Sequence, residues 1–148
     1  MNDASRRTRT QKWGWGILIA VSALLVLGGV GMYFLGDSPA TFEQDTGVPM
    51  AEVRQAYPTV ADQVVREGQN IQILVAAFGV LTLLVALEGF RHGSRWAWNA
   101  TWVLVGWLVV GGLQALVVGG RLDIGGFFLA FAAVALVGQL LARRVLGR

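Results

Sequence analysis

Glu88-Gly89-Phe90-Arg91-His92-Gly93-Ser94-Arg95-Trp96-Ala97-Trp98-Asn99-Ala100-Thr101-Trp102 is a short basic and aromatic hinge between two long apolar runs. Ile71–Phe90 precedes it and Trp96–Val118 follows it, each with the ~20 residues needed to cross a ~30 Å hydrocarbon core. Read as the loop between two spans, it fixes the topology of the rest. Working outward, Gly14–Leu35 is a run of 22 residues without a charge, and Ile124 to about Leu141 is another apolar segment. With 55% hydrophobic and only 14% charged residues in 148, the apolar residues come in blocks rather than at amphipathic spacing. The expected fold is an all-α integral membrane protein, a bundle of four transmembrane helices.

The boundaries follow from composition. A basic tail occupies 1–12 and reads as unstructured. The spans are 13–35, 71–90, 96–118 and 124–142, joined by an outer segment 36–70, the hinge 91–95 and a turn 119–123, with a basic end 143–148. Arg6, Arg7, Arg9, Lys12, Arg91, Arg95, Arg143, Arg144 and Arg148 fall on one side, and only Arg54, Arg66 and Arg121 on the other. Nine cations against three over short loops predict cytoplasmic N- and C-termini by the positive-inside rule. Ser38-Pro39-Ala40 resembles a cleavage site, but the first apolar run exceeds a signal-peptide core, so the first span is read as retained. Eleven arginines to one lysine, with the Ala/Gly/Val/Leu bias, indicate a GC-rich prokaryotic genome. The expected location is therefore the plasma membrane of a prokaryote.

The segment 36–70 differs in kind: Asp37, Glu43, Asp45, Glu52, Asp62 and Glu67 meet only Arg54 and Arg66. Pro49 suits a first helical position, with Met50, Val53 and Tyr57 sharing a face. Thr59-Val60-Ala61-Asp62 reads as a variant capping box after Pro58, with Val60 and Val64 continuing the apolar face and Val65 widening it. These signals predict a short helical extracytoplasmic cap, its second helix leading into the next span.

In lipid, small residues that permit close approach are the packing signal. Gly111, Ala115 and Gly119 lie four apart on the third span, and Gly126, Ala130, Gly138 and Ala142 share a four-residue row on the fourth. The short turn predicts that these stripes face each other. Gly28, Gly29 and Gly31 thin the first span near its outer end. Trp13 and Trp15 are expected at its inner interface, as are Trp96, Trp98 and Trp102 around the hinge.

Candidate chemistry is sparse. The pI near 10.2 does not indicate nucleic acid, because the basic residues flank spans and form no stripe. With no cysteine and one histidine, no thiolate site, metal site, cofactor site or catalytic triad is predicted. The polar residues at membrane depth are Ser22, Thr82, Thr101 and Gln114, with Asn99 and Gln139 nearer the inner interface; no charge sits mid-span, which argues against a proton pump or ion-coupled carrier. Gln114 is the first choice for an interhelical hydrogen bond. At the hinge, Glu88 and His92 are four apart and Glu88 and Arg91 three apart, so a helix persisting to His92 brings them together. Arg91, Arg95, Trp96 and Trp98 then frame a position at phosphate depth.

Thr46-Gly47-Val48 with Glu52, Tyr57-Pro58-Thr59-Val60-Ala61 and the hinge Arg91-His92-Gly93-Ser94-Arg95-Trp96-Ala97-Trp98 resemble a group of small prokaryotic four-span membrane proteins. In that group a first span, an outer helical loop and an Arg-x-Gly-x-Arg-Trp-Ala-Trp hinge recur in this order. The resemblance runs from the first span onward and implies the four-span fold, with no activity attached.

Three functional readings follow. The first is a non-enzymatic accessory protein that contacts lipids, anionic ones included, or another membrane protein or its own copies, through the hinge and the acidic cap. The second is a binder or carrier of a lipid or quinone among spans two to four, with Trp107 as a wall. The third is a membrane enzyme using Glu88 and His92.

Overall fold

The computed structural model describes residues 3–35, 42–43, 46–92, 94–117 and 119–143. The start of the outer segment (36–41) and most of the C-terminal basic end (144–148) lie outside them. Among the described residues the chain is all-helical: α1 (Asp3–Leu35), α2 (Met50–Ala56), α3 (Pro58–His92), α4 (Arg95–Ala100), α5 (Trp102–Val117) and α6 (Leu122–Arg143). Four stretches are long and apolar enough to cross a membrane: Arg9–Phe34, Pro58–His92, Arg95–Val117 and Leu122–Ala142.

Two boundaries differ from expectation. The N-terminal tail is not unstructured, because α1 starts at Asp3. Arginine, glutamine and lysine are good helix formers, no Gly or Pro precedes Gly14, and extending an existing helix avoids the cost of nucleation. The second concerns the two prolines. Pro49 is the N-cap of α2, accepting from the amides of Glu52 (3.0 Å) and Val53 (3.3 Å). Pro58 itself begins α3, where its missing N–H and fixed φ cost nothing, and the Ala61 amide donates to the Tyr57 carbonyl at 3.1 Å. Thr59 therefore lies inside the first turn, and the expected capping box does not form. From Pro58 the helix runs unbroken for 35 residues to His92, about 52 Å at 1.5 Å per residue.

The described helices fall into two compact units, one of residues 24–80 and one of residues 1–23 with 81–148. In the unit of residues 24–80, α1 and α3 touch through glycine. A methyl on Gly29 would lie 2.7 Å from the Ala76 nitrogen, and one on Gly79 would lie 2.8 Å from the Val26 nitrogen. Gly28 and Gly31, the other members of the expected thin patch, face open space. Ala61 is buried and Val65 half-buried, while Val60, Val64 and Tyr57 are exposed. The buried face is thus rotated from the one expected, toward the smaller side chain that allows closer approach.

In the other unit, α5 and α6 form an antiparallel pair, but not through the expected stripes. Gly112 and Gly125 make the seam: a methyl on Gly112 would sit 3.2 Å from the Gly125 carbonyl oxygen, and one on Gly125 would sit 3.0 Å from that of Gly112. Gly126 meets nothing, Ala130 and Gly119 are exposed, Ala115 is half-buried, and Gly111 has only ordinary contact with Phe128. An offset of one residue turns a helix by 100°, enough to send a stripe to the outside. Gly138 and Ala142 do pack closely, but on α1: a methyl on Gly14 would lie 2.7 Å from the Gly138 oxygen and 2.5 Å from the Ala142 nitrogen. The turn between α5 and α6 is closed by the amides of Gly119 and Arg121, which reach back to Gln114 and Ala115 (3.3 and 2.9 Å). Gly120 supplies the required positive φ of 62°. Arg121 pairs with Asp123 in the first turn of α6 through two contacts, 3.1 and 3.0 Å.

Candidate hinge site

The hinge is held from three directions. On the α3 side, Trp15 of α1 is buried and its ring lies on Gly89, where no side chain can fit beside it. Trp15 is therefore a core residue and not a member of an interfacial belt. Trp13, two residues away, is 63% exposed. On the α4 side, Ser94 caps the helix by accepting from the Ala97 amide at 3.4 Å, and its carbonyl accepts from Trp98 at 3.1 Å.

The third hold comes from α6. Trp98 Nε1 donates to the Gln139 carbonyl at 3.0 Å, and Gln139 Nε2 donates back to the Trp98 carbonyl at 2.6 Å. Thr101 Oγ1 lies 2.7 Å from Gln139 Oε1 and 2.9 Å from the Trp98 carbonyl, so its one proton serves these two acceptors. Gln139 and Thr101 are fully buried. Asn99 is exposed, and Ser22 and Thr82 are buried. Gln114, expected to make the interhelical bond, is exposed on α5. The position that makes it, Gln139, belongs to the buried stripe Ala132, Ala135, Gln139 and Ala142 on α6. That alanine spacing, three then four then three, was the available signal for it.

Replacing Gln139 with leucine removes the amide that ties α6 to the Trp98 carbonyl and to Thr101. Interhelical hydrogen bonds in membranes are worth about 0.6–2 kcal/mol each. A lower thermal unfolding temperature in detergent is expected, with Gln114→Leu unchanged. Equal melting of the two variants would show that the Gln139 network is not holding the hinge.

What this frame presents outward is a short polar and aromatic face. The helix does persist to His92, and His92 Nδ1 meets Glu88 Oε1 at 2.9 Å, with the side chains 63% and 49% exposed. An i,i+4 contact so open contributes about 0.5 kcal/mol or less. Arg91, Arg95 and Trp96 are exposed, while Trp98 is half-buried and stands edge-on to Trp102 at 6.0 Å. Trp107, proposed as a cleft wall, packs its edge against Phe128 at 5.7 Å. Among the described residues no cluster of His, Cys, Asp or Glu has the makeup of a metal site.

A separate feature belongs to the unit of residues 24–80. An open apolar groove of about 360 Å³ runs between α1 and α3, walled by Val26, Val30, Phe34, Ile73, Ala77 and Val80. It lies between the first and second spans, whereas the sequence suggested a ligand cleft among spans two to four.

No protein-family model matches the chain, and no curated protein or solved structure matches it either.

Proposed function

We propose that this chain is a non-enzymatic accessory protein of a prokaryotic plasma membrane, associating with anionic lipid through the hinge. In this reading both termini are cytoplasmic, the segment between the first two spans is an extracytoplasmic helical cap, and the likeness to small four-span prokaryotic proteins reflects common architecture. The observation that carries it is the contrast within the hinge. Its backbone is tied down by Trp15, Ser94 and Gln139, while Arg91, Arg95 and Trp96 remain exposed. A fixed backbone presenting guanidinium groups beside an indole suits phosphate at headgroup depth, since arginine binds phosphate bidentately and tryptophan favours the interface.

The test is native mass spectrometry of protein extracted gently from its own membrane. Each arginine near an anionic surface is worth about 1 kcal/mol. Arg91→Gln with Arg95→Gln should therefore reduce retention of anionic phospholipid roughly ten- to thirty-fold. Zwitterionic lipid should be unaffected. Unchanged anionic retention in the double variant would sink the reading.

The groove between α1 and α3 favours a second reading, a binder of an apolar molecule such as a lipid or quinone. The same spectra separate the two. A neutral apolar species that survives the arginine changes but is lost when the groove is filled by Ala77→Trp belongs to the groove. Finding no such species removes that reading.

A further inference from the structure

The end of α3 remote from the hinge carries a seam of apolar residues whose outermost part lies beyond the reach of lipid. Val60, Val64, Glu67, Ile71 and Leu74 are spaced four, three, four and three, the repeat with which one helix meets another along a coiled coil. Val60, Val64, Ile71 and Leu74 are 51%, 37%, 57% and 69% exposed, so the seam is separate from the face that α3 turns inward at Ala61 and Gly79. Exposure of Ile71 and Leu74 needs no explanation within a bilayer. Val60 and Val64 are another matter. Asp62, Arg66 and Glu67 are all exposed, and charges of that density keep their part of the helix out of hydrocarbon. Val60 is seven residues beyond Glu67, about 10 Å further along the axis, past a headgroup layer of about 5–7 Å. An apolar edge there faces water unless protein covers it.

We propose that the seam docks a helix of another membrane protein, one carrying its own apolar stripe and a lysine or arginine placed to meet Glu67. The proposal stands whether or not the hinge binds lipid. Charge selects the occupant. Glu67 sits in the middle of the seam, its carboxylate held by Gln63 Nε2 at 3.0 Å. A second copy inserted in the same orientation would oppose Glu67 to Glu67 across a two-fold axis, placing like charges at the centre of the contact. A cation from a different chain turns the same position into an attraction. The surroundings agree, since among the described residues of 50–70 the exposed acids Glu52, Asp62 and Glu67 outnumber the exposed Arg54 and Arg66. β-Branched residues at 64 and 71 with leucine at 74 are the combination that favours two helices in parallel.

The experiment uses the full chain in nanodiscs and two synthetic helical peptides with valine and leucine at matching seam positions. One carries lysine and the other glutamate opposite Glu67. The lysine peptide should bind at least about tenfold more tightly. Glu67→Gln should erase the preference, and Glu67→Lys should invert it. Val64→Asp, an exposed position whose change leaves thermal unfolding as in the natural chain, should abolish binding of both. Equal binding of the two peptides, or binding of neither, overturns the proposal. So does a dimer in native mass spectra that Val64→Asp dissociates, which would make a second copy the occupant. Peptide binding that survives Val64→Asp would likewise show that the seam is not the docking surface.

Discussion

Gly14→Ala is expected to lower the stability of the unit formed by residues 1–23 and 81–148 by about 3 kcal/mol or more, an unusually large loss for one methyl group. The added carbon would lie 2.5 Å from the Ala142 nitrogen, 2.7 Å from the Gly138 oxygen and 2.9 Å from the Leu141 carbonyl carbon. All three are backbone atoms of a hydrogen-bonded helix, so none can rotate away as a side-chain tip can, and α1 and α6 must separate. In a membrane this is costly for a second reason. Lipid tails supply no hydrophobic force to push the helices back together, so the lost packing is not compensated. Gly138→Ala should behave alike, since its methyl would meet Ile17 at 2.9 Å and the Gly14 oxygen at 3.1 Å. Gly16→Ala and Gly126→Ala, where a methyl meets nothing, are the controls and should lose no stability, alanine being favoured over glycine inside a helix by up to about 1 kcal/mol. Thermal unfolding in a single detergent decides. If Gly14→Ala melts with Gly16→Ala, the close contact between α1 and α6 is not part of the folded protein.

The second large effect is expected at Gly89. A leucine there would occupy the volume of the Trp15 ring, so one of the two side chains must leave the interior. Expelling or truncating a buried tryptophan costs about 3–5 kcal/mol. Trp15 should move to a wetter environment, with red-shifted emission and greater quenching by iodide, in a variant whose other five tryptophans are replaced by phenylalanine. The pair should also be strongly non-additive. Trp15→Ala combined with Gly89→Leu should be less damaging than the sum of the two single changes, because the new side chain enters the space the ring vacated. Additive losses with unshifted emission would place Trp15 elsewhere than on Gly89.

Both predictions rest on contacts that were hard to read beforehand, and the reason is general to helices in lipid. The four spans were legible because charge is so costly in hydrocarbon that its absence over twenty residues is a strong signal. The Glu88–His92 contact was legible because it is local, needing only that one helix persist by a turn. Rotation of each helix was not. In water a buried stripe contrasts with a polar face, but in a bilayer both faces are apolar, so Gly111 and Gly112, or Gly125 and Gly126, look equally suited to a seam. The same ambiguity hid Gln139. It is 38 residues from Thr101 and 41 from Trp98, and only the placement of α6 against α4 shows that it, and not Gln114, is the buried amide. The burial of Trp15 is hidden in the sequence for a related reason. An indole near a span end suits the interface, but a glycine opposite makes the interior available to it.

The turn between α5 and α6 bears on how the chain enters the membrane at all. Two apolar helices joined by so short a connection suit insertion as a hairpin, and in the proposed orientation, with both termini cytoplasmic, its tip is the part carried through the hydrocarbon. That tip holds both charges of the region, Arg121 and Asp123, and they are joined by paired contacts at 3.1 and 3.0 Å. Carried as a pair, they present no net charge to the interior, and the two contacts meet two of the guanidinium's donors and both carboxylate oxygens. The barrier to delivering the hairpin is thereby set by two compensated ions in place of two separate ones.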